Sequence, residues 1–190
     1  MDKQKVLAIV GPTGIGKTSL SVWLAKQLNG EIISCDSMQV YKKMDIGTAK
    51  VTQEEMQGVH HELIDVQNYD EPYNVKVFQE KCRKAIEDVV KRGKFPVLCG
   101  GTGLYLKAAL YDYEFQEEQE DAAYTAYLNS KTNEELVEML EEQDVKALEK
   151  IHPNNRKRLI RALQICHSGT PKSKQEGKQQ HIPLYDVYFL

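Results

Sequence analysis

The segment Gly11–Thr18, with the sequence GPTGIGKT, has the residue types and spacing of a phosphate-binding loop. Glycines let backbone N–H groups converge on an anion without Cβ clashes, and the dipole of a following helix adds to the attraction. Lys17 supplies a positive charge and Thr18 a hydroxyl ligand for Mg²⁺. The apolar run VLAIV before the loop and the helical spacing after it are the context that this motif requires. The sequence therefore predicts a phosphate or diphosphate site, without fixing the reaction, in Gly11, Pro12, Thr13, Gly14, Ile15, Gly16, Lys17 and Thr18.

Asp36 follows a second short apolar segment, EIISC. The carboxyl ends of parallel strands form the edge at which open α/β sheets bind ligands, so we expect Asp36 beside the phosphate loop. A carboxylate there can coordinate the metal or act as a general base. The alternative is that Asp36 only caps the next turn through its backbone.

Two further motifs lie at predicted strand ends. In GGTGLYL, Thr102 would be placed to hydrogen-bond a substrate oxygen, although Gly-Gly-Thr-Gly turns are common on their own. The pair His60–His61 lies in HHELIDV, a candidate strand. Adjacent strand residues point to opposite faces, so we expect a structural or substrate-contact role for this pair rather than a shared metal.

Charge is unevenly distributed in the second half of the chain. Residues 112–149 contain 13 acidic and 2 basic residues, whereas residues 150–178 contain 8 basic and 1 acidic. Within IHPNNRKRLIRALQIC, Arg158 and Arg161 are three residues apart and Lys157 is four from Arg161, so all three share one helix face. Such a face suits the phosphates of a small ligand or of a nucleic-acid backbone. The alternative is a solvated helix neutralised by the acidic segment.

Strand-like and helix-like segments alternate up to residue 111, which predicts an α/β fold: a parallel sheet flanked by helices, as in P-loop NTPases, with a helical insertion. We expect a core of residues 1–111, a helical insertion over 112–178 and a returning strand in 179–190, with a polar linker over 169–180 where the last two meet. In the first helix, the spacing of Leu20, Leu24 and Leu28 predicts an apolar face. Asn74 and Gly93 are expected to start and stop a later helix.

The overall composition excludes several protein classes. The chain has 190 residues, of which 41% are hydrophobic and 28% charged, as in soluble globular proteins. Its four cysteines are far apart without a C-x-x-C pair, which argues against a zinc site or a disulfide framework. The sequence also lacks a signal peptide pattern and a long apolar run. We therefore expect a cytoplasmic protein that is not bound to a membrane.

Four segments taken together closely resemble the tRNA dimethylallyltransferase (tRNA isopentenyltransferase) family. They are GPTGIGKTSLSVWLAKQLNGEIISCDSMQVYKKMDIGTAK, HHELID, RGKFPVLCGGTGLYLKAAL and IHPNNRKRLIRALQI. The likeness extends from Lys5 to about Cys166. It implies an enzyme that transfers a dimethylallyl group from dimethylallyl diphosphate to N6 of the adenine 3′-adjacent to the anticodon, in tRNAs that read codons beginning with U. The phosphate loop would hold the diphosphate leaving group with Mg²⁺, and no phosphoryl group would move.

The resemblance also implies roles for individual residues. Asp36 matches the general base, and Thr102 matches a position beside the reacting groups. Two stretches match residues that contact tRNA: Asp36, Ser37, Met38 and Gln39, and Lys157, Arg158, Leu159, Ile160 and Arg161. The implied partners are dimethylallyl diphosphate and the anticodon stem-loop of tRNA, and we expect the protein to be a monomer.

Family members continue well beyond the strand that ends at Leu190, with further helices, another diphosphate-contacting arginine and more tRNA surface. We therefore expect a truncated form in which diphosphate binding survives better than full transfer. Three other functions use similar residues: a small-molecule P-loop kinase with Arg158 and Arg161 as a lid, an isopentenyltransferase acting on free adenylate, and a tRNA- or nucleotide-binding module without catalysis.

Overall fold

A five-stranded parallel sheet forms the centre of the first of two compact units. The computed structural model describes residues 3–113, 115, 121–168 and 182–190. The sheet has the order β3-β2-β4-β1-β5, in which every pairing is parallel. Its strands are β1 (Lys5–Val10), β2 (Gly30–Ser34), β3 (His61–Glu62), β4 (Phe95–Gly100) and β5 (Asp186–Phe189). The predicted parallel sheet flanked by helices is therefore confirmed.

Helix α1 (Lys17–Gln27) covers one face of this sheet. Its residues Val22 and Ala25 pack in one hydrophobic cluster with Leu7 and Ile9 of β1. These side chains are short, so the helix lies close to the strands, and the loop between β1 and α1 stays at the carboxyl end of β1.

The predicted apolar face of α1 is wrong. Leu20 and Leu28 are each 42% exposed, and Leu24 is only partly buried, whereas Ser21 is buried. A six-residue connection leads from β1 to α1, and this short link decides which side of the helix meets the sheet. That constraint outweighs the spacing of the leucines.

The opposite face of the sheet is covered by α3 (Val75–Lys91) and α4 (Gly103–Leu110). The Asn74 side chain accepts hydrogen bonds from the N–H groups of Lys76 and Val77, each at 3.0 Å, and so caps α3. The helix ends before Gly93, whose φ of +70° favours glycine. The start and stop predicted for this helix are confirmed.

The segment HHELIDV forms a shorter strand than its composition predicts. Only His61 and Glu62 pair with β2. Leu63 and Asp65 then take left-handed backbone conformations, with φ of +63° and +56°, which ends the strand. The preceding short helix α2 (Gln53–Met56) begins at a capping box.

The second unit is helical. The chain divides into residues 1–113 with 181–190, which contain the sheet, and residues 114–180. The second unit contains α5 (Ala122–Ser130), α6 (Asn133–Leu148) and α7 (Arg156–His167). Thr132 and Glu135 form a capping box at the start of α6. The hydrophobic core of the second unit consists of Leu128, Leu136, Leu140, Ala147, Ile151, Leu159, Ala162 and Leu163.

The polar linker predicted over 169–180 lies outside the described residues. Within the described ranges, every helix is too short or too polar to span a lipid bilayer.

Candidate active site

The loop after β1 has the backbone that phosphate binding requires. Gly14 and Gly16 have φ of +89° and +88°, conformations that residues with a Cβ adopt only with strain. Gly16 is the N-cap of α1, so the helix begins at Lys17. The first N–H groups of a helix have no acceptor within it, and they carry the positive end of the helix dipole. The loop and helix together therefore have the geometry of the anion cradle that the sequence predicts.

The charge of this cradle comes from Lys17. Its ammonium group donates a hydrogen bond of 2.6 Å to the carbonyl oxygen of Pro12, which folds the side chain back over the loop. An incoming phosphate oxygen would compete with this carbonyl for the same ammonium group. Lys17 is thus held near the amide groups with which it would act.

A cavity of about 350 Å³ opens beside the loop at the carboxyl end of the sheet. Five loop residues that the sequence predicts for phosphate binding lie in its wall, and Asp36 and Gln39 lie in the same wall. The five are Thr13, Gly14, Gly16, Lys17 and Thr18. The structure thus brings the predicted cradle and the predicted carboxylate to one cavity.

Asp36 caps the next turn, and it also lies in the cavity wall, where its role as a base stays a prediction. Its Oδ1 accepts hydrogen bonds from the N–H groups of Met38 at 2.8 Å and Gln39 at 3.4 Å, so the side chain caps the turn 36–39. Within the described chain, the recorded hydrogen bonds of this carboxylate involve Oδ1, and Oδ2 is left for a ligand. Ser37 and Met38 lie in the same turn, where Met38 is exposed.

Gly100 and Gly101 allow the end of β4 to approach the two neighbouring loops. A Cβ at Gly100 would overlap the backbone carbonyl of Cys35, and a Cβ at Gly101 would lie 3.1 Å from the carbonyl oxygen of Gly11. Thr102 follows as the N-cap of α4, but its side chain makes no capping hydrogen bond. Gly100 lines the cavity wall. Thr102 follows two residues later and is not part of that wall in the described structure.

A second part of the cavity wall is organised by Lys50. Its ammonium group contacts Asp45 at 2.7 Å, Asp65 at 2.6 Å and the carbonyl oxygen of Tyr41 at 2.8 Å, and the side chain is only 6% exposed. Burial works against the charge, yet the hydrogen bonds to Asp45 and Asp65 outweigh it and raise the pKa of Lys50. The charged Lys50 side chain therefore holds Asp65 to the segment 41–50.

The two histidines have different surroundings. His61 lines the cavity, and its Nδ1 lies 2.9 Å from the carbonyl oxygen of Val59, so Nδ1 carries the proton. Burial lowers the pKa of His61 and favours the neutral ring. His60 instead contacts Glu62, which forms a group with Glu31 that could hold a metal ion.

That acidic group is an ion-pair network. The guanidinium of Arg92 contacts Glu31 at 2.6 Å and Glu62 at 2.7 Å. These hydrogen bonds, the one to Glu31 first, raise the pKa of Arg92. Because Arg92 already neutralises both carboxylates, we assign the group a structural role.

In the helical unit, α7 carries the predicted basic face. Asn155 caps it by accepting a hydrogen bond from the N–H of Arg158 at 3.3 Å. Lys157, Arg158 and Arg161 are exposed, and Ile160 is half-buried. Leu159 is fully buried in the core of this unit, so the structure does not support a side-chain contact from Leu159 to tRNA. Leu159 instead fixes the side of α7 that faces solvent.

Sequence reasoning missed a group of cavity-wall residues that lie outside the predicted motifs. The residues concerned are Thr48, Ala49, Lys50, Val51, Glu55 and Ile64. The motif DIGTAK contains both Lys50 and its partner Asp45, but the second partner, Asp65, is 15 positions away, and no local spacing marks it. This wall could be found only once β2 and β3 were paired.

The strand order, the glycine loop after β1 and the helix that starts at its end define a phosphate-loop protein of the α/β class. The family model described as IPP transferase matches residues 39–190. The chain belongs to this family.

Several relatives are similar over the full chain. The tRNA dimethylallyltransferase of Bacillus anthracis is 50% identical over 195 residues, which cover 100% of this chain and 62% of the relative. The chain thus spans less than two thirds of the length of the curated relatives that it matches. A solved eukaryotic dimethylallyltransferase acting on tRNA is 34% identical with a TM-score of 0.83, over 98% of this chain and 47% of that one. The tRNA isopentenylpyrophosphate transferase of Staphylococcus epidermidis is 41% identical with a TM-score of 0.61, over 97% of this chain and 62% of its own.

Proposed function

We propose that this chain carries the catalytic core of a tRNA dimethylallyltransferase. It would transfer a dimethylallyl group from dimethylallyl diphosphate to N6 of the adenine 3′-adjacent to the anticodon, in tRNAs that read codons beginning with U. The observation that carries the proposal is the shared cavity, whose wall contains both five residues of the phosphate loop and Asp36. The names of the relatives supply the substrate class.

The chemistry follows from the two parts of this cavity. The C1–O bond of the donor breaks, and its electron pair leaves on the diphosphate, where the loop amides and Lys17 stabilise the charge. The N6–C1 bond forms, and the proton of N6 passes to Oδ2 of Asp36. The hydrogen bonds from Met38 and Gln39 to Oδ1 would hold the carboxylate in place during this transfer. The adenine has to leave its stack to reach the cavity.

Mg²⁺ fits the donor set at this site. The hydroxyl of Thr18 lines the cavity, and a hard oxygen ligand of this kind suits a cation that keeps part of its water shell. Thr18 would hold the ion with oxygens of the diphosphate. Bound there, Mg²⁺ neutralises charge on the leaving group.

We assign tRNA binding to two surfaces, each within its own unit. In the sheet unit, this surface is the turn Asp36–Gln39 at the carboxyl end of β2, whereas Thr102, which follows β4, is assigned a catalytic place beside the reacting groups. In the helical unit, Lys157, Arg158 and Arg161 present exposed positive charge on α7, with Ile160 beside them. Phosphate contacts from such a face give affinity that depends on salt.

We extend the proposal to the oligomeric state and the cellular location of the protein. We expect a cytoplasmic monomer. All four cysteines are thiols, which agrees with a reducing compartment. Light scattering after gel filtration measures the mass, and a dimer would contradict this part.

The direct test is mass spectrometry of tRNA nucleosides after incubation with dimethylallyl diphosphate and Mg²⁺. This chain and a full-length relative would be compared, with Lys17→Ala as the inactive control. N6-isopentenyladenosine at the expected position supports the function. Turnover of ATP without prenylated tRNA would favour a kinase, and prenylated AMP without prenylated tRNA would favour the free-adenylate enzyme.

A further inference from the structure

Ile46 lies at the tip of a loop in the segment 41–50 and is 98% exposed. The next most exposed large hydrophobic residue in the described part of the chain, Tyr69, is 73% exposed. Single apolar side chains on a protein surface are ordinary. Ile46 differs because hydrogen bonds hold its loop in one shape and because the same segment continues into the wall of the cavity.

A hydrogen bond closes the loop below its tip. The hydroxyl of Thr48 donates to the carbonyl oxygen of Met44 at 2.6 Å, so Ile46 lies midway between two residues that are joined to each other. Lys43 and Gly47 have φ of +63° and +81°, which turn the chain on both sides of Ile46. These contacts and turns fix the tip in an orientation that leaves the Ile46 side chain in solvent.

The end of the loop is joined to the turn that contains Asp36. The side chain of Gln39 donates a hydrogen bond to the carbonyl oxygen of Ala49 at 2.8 Å. Ala49 and Thr48 lie with Asp36 in the cavity wall. Ile46 precedes Thr48 by two residues and is not part of the described wall. The tip therefore projects from the same segment that forms this part of the wall.

The surroundings of the tip are positively charged. Lys42 and Lys43 precede it, and both are exposed. Asp45 is the only acidic residue in the segment 41–50, and Lys50 contacts it at 2.7 Å and neutralises it. An apolar side chain beside exposed cations suits single-stranded nucleic acid, because the cations bind phosphates and the apolar group packs on the faces of unstacked bases.

We propose that Ile46 contacts the RNA substrate and packs against the bases next to the target adenine once that adenine has left the stack. Lys42 and Lys43 bind phosphates of the same RNA loop. This inference rests on the proposed function, in which the adenine leaves its stack to reach Asp36. Its departure exposes the faces of the neighbouring bases to water. A side chain that is already held in place covers these faces at little cost in conformational entropy.

The test measures binding of an anticodon stem-loop RNA in which 2-aminopurine replaces the target adenine. The fluorescence of this base increases when it leaves the stack, and the base cannot react because it lacks the N6 amine. We expect Ile46→Ala to lower the affinity about tenfold and to reduce the fluorescence increase, because three carbons of packed side chain are lost. Ile46→Leu keeps the apolar volume and should stay within about threefold of the wild-type affinity.

The two lysines are tested through the salt dependence of binding. Replacing Lys42 and Lys43 by alanine should reduce the slope of log affinity against log salt by about 0.7 per lost phosphate contact. Lys84→Ala removes an exposed positive charge from α3 and should leave the slope unchanged. An unchanged slope in the double variant would overturn the role of Lys42 and Lys43.

A second RNA locates the contact of Ile46. It carries abasic sites in place of both neighbours of the target, so it lacks the surface that Ile46 would cover. The wild-type chain and Ile46→Ala should bind this RNA equally, within about twofold. The matched control is Leu28→Ala, because Leu28 is also an exposed aliphatic residue but precedes β2, at the opposite edge of the sheet. Leu28→Ala should bind both RNAs as the wild-type chain does.

The outcomes separate this inference from the proposed function. If the wild-type chain binds the stem-loop with a fluorescence increase and Ile46→Ala behaves identically, the role of Ile46 is overturned and the proposed function stands. An equal loss of affinity for both RNAs in Ile46→Ala would overturn it too, since the loss would not depend on the neighbouring bases. Binding by the wild-type chain without a fluorescence increase would have the same consequence. If the wild-type chain neither binds the stem-loop nor prenylates tRNA, the proposed function fails, and this inference fails with it.

Discussion

At the scale of single residues, the proposed function gives the Asp36 carboxylate a chemical task in addition to its structural one. One oxygen caps the turn 36–39, and the other is left for the substrate. The sequence offered these as alternatives, but the geometry allows both at once. Residue substitutions that preserve the cap and remove the base can therefore separate them.

We predict that Asp36→Asn loses about a hundredfold or more in prenyl transfer while the protein keeps its stability. The amide oxygen of asparagine can still accept the hydrogen bonds from Met38 and Gln39, but it cannot take up the proton of N6. Asp36→Ala should lose both transfer and about 1 kcal/mol of stability, because the turn loses its cap. Single-turnover transfer and thermal unfolding measure the two effects. Transfer by Asp36→Asn at the wild-type rate would remove Asp36 from the mechanism.

The neutral His61 predicts a dependence of stability on pH. Burial lowers its pKa in the folded chain below the unfolded value of about 6.5, so the unfolded state binds more protons below that pH. The contribution of His61 to stability is complete above about pH 6.5 and is lost as the pH falls toward its folded pKa. Urea unfolding followed by Trp23, the only tryptophan, reports on α1 of the sheet unit.

The comparison for this prediction is His61→Asn, measured at about pH 7.5 and about pH 5.5. Wild type should lose more stability than the variant between these two conditions. An equal loss in both proteins would show that another group is responsible.

At the scale of elements, the ends of β2 and β4 are brought together by Gly100. We predict that Gly100→Ala destabilises the sheet unit by about 1–3 kcal/mol, because its methyl group would overlap the Cys35 carbonyl just before Asp36. Gly103→Ala is the matched control, since nothing lies within 4 Å of its added Cβ. Chemical denaturation compares the two. Equal stabilities would mean that the strands move apart without cost.

Helix α7 leads to a prediction about RNA affinity. Replacing Lys157 and Arg158 by alanine should weaken tRNA binding and reduce the slope of log affinity against log salt by about 0.7–0.9 per lost phosphate contact. Lys146→Ala on α6 removes an exposed positive charge from another helix of the same unit and should leave the slope unchanged. Titration of tRNA at several salt concentrations gives both slopes. Identical slopes for the double variant and wild type would make α7 a solvated surface.

Elements with strong local signals could be predicted from the sequence. Helix α3 has a capping asparagine, an apolar periodicity and a terminal glycine, all within one stretch of chain. The buried face of α1 could not be predicted from the spacing of the leucines, because the short connection from β1 decides which face of the helix is buried. The contact of Lys50 with Asp65 could not be predicted either, since it depends on a partner 15 residues away.

At the scale of the whole molecule, the chain has a sheet unit with the cavity and a helical unit with a basic face. The sequence predicted the cradle and the carboxylate at one edge of the sheet because parallel strands end on the same side. It did not predict the part of the cavity wall that contains Lys50, which forms from segments that meet only after folding. Long-range pairing, here of β2 with both β4 and β3, carries that information.

The proposed mechanism depends most on where the donor lies relative to the phosphate loop and to Asp36. A crystal structure of the chain with Mg²⁺ and a non-hydrolysable dimethylallyl thiolodiphosphate measures this position directly. We predict diphosphate oxygens within hydrogen-bonding distance of the amides of residues 13–18 and of Lys17 Nζ. The carbon that accepts the nucleophile should lie beside Oδ2 of Asp36. Diphosphate bound away from this loop, or Asp36 on the far side of the ligand from the reacting carbon, would contradict the account.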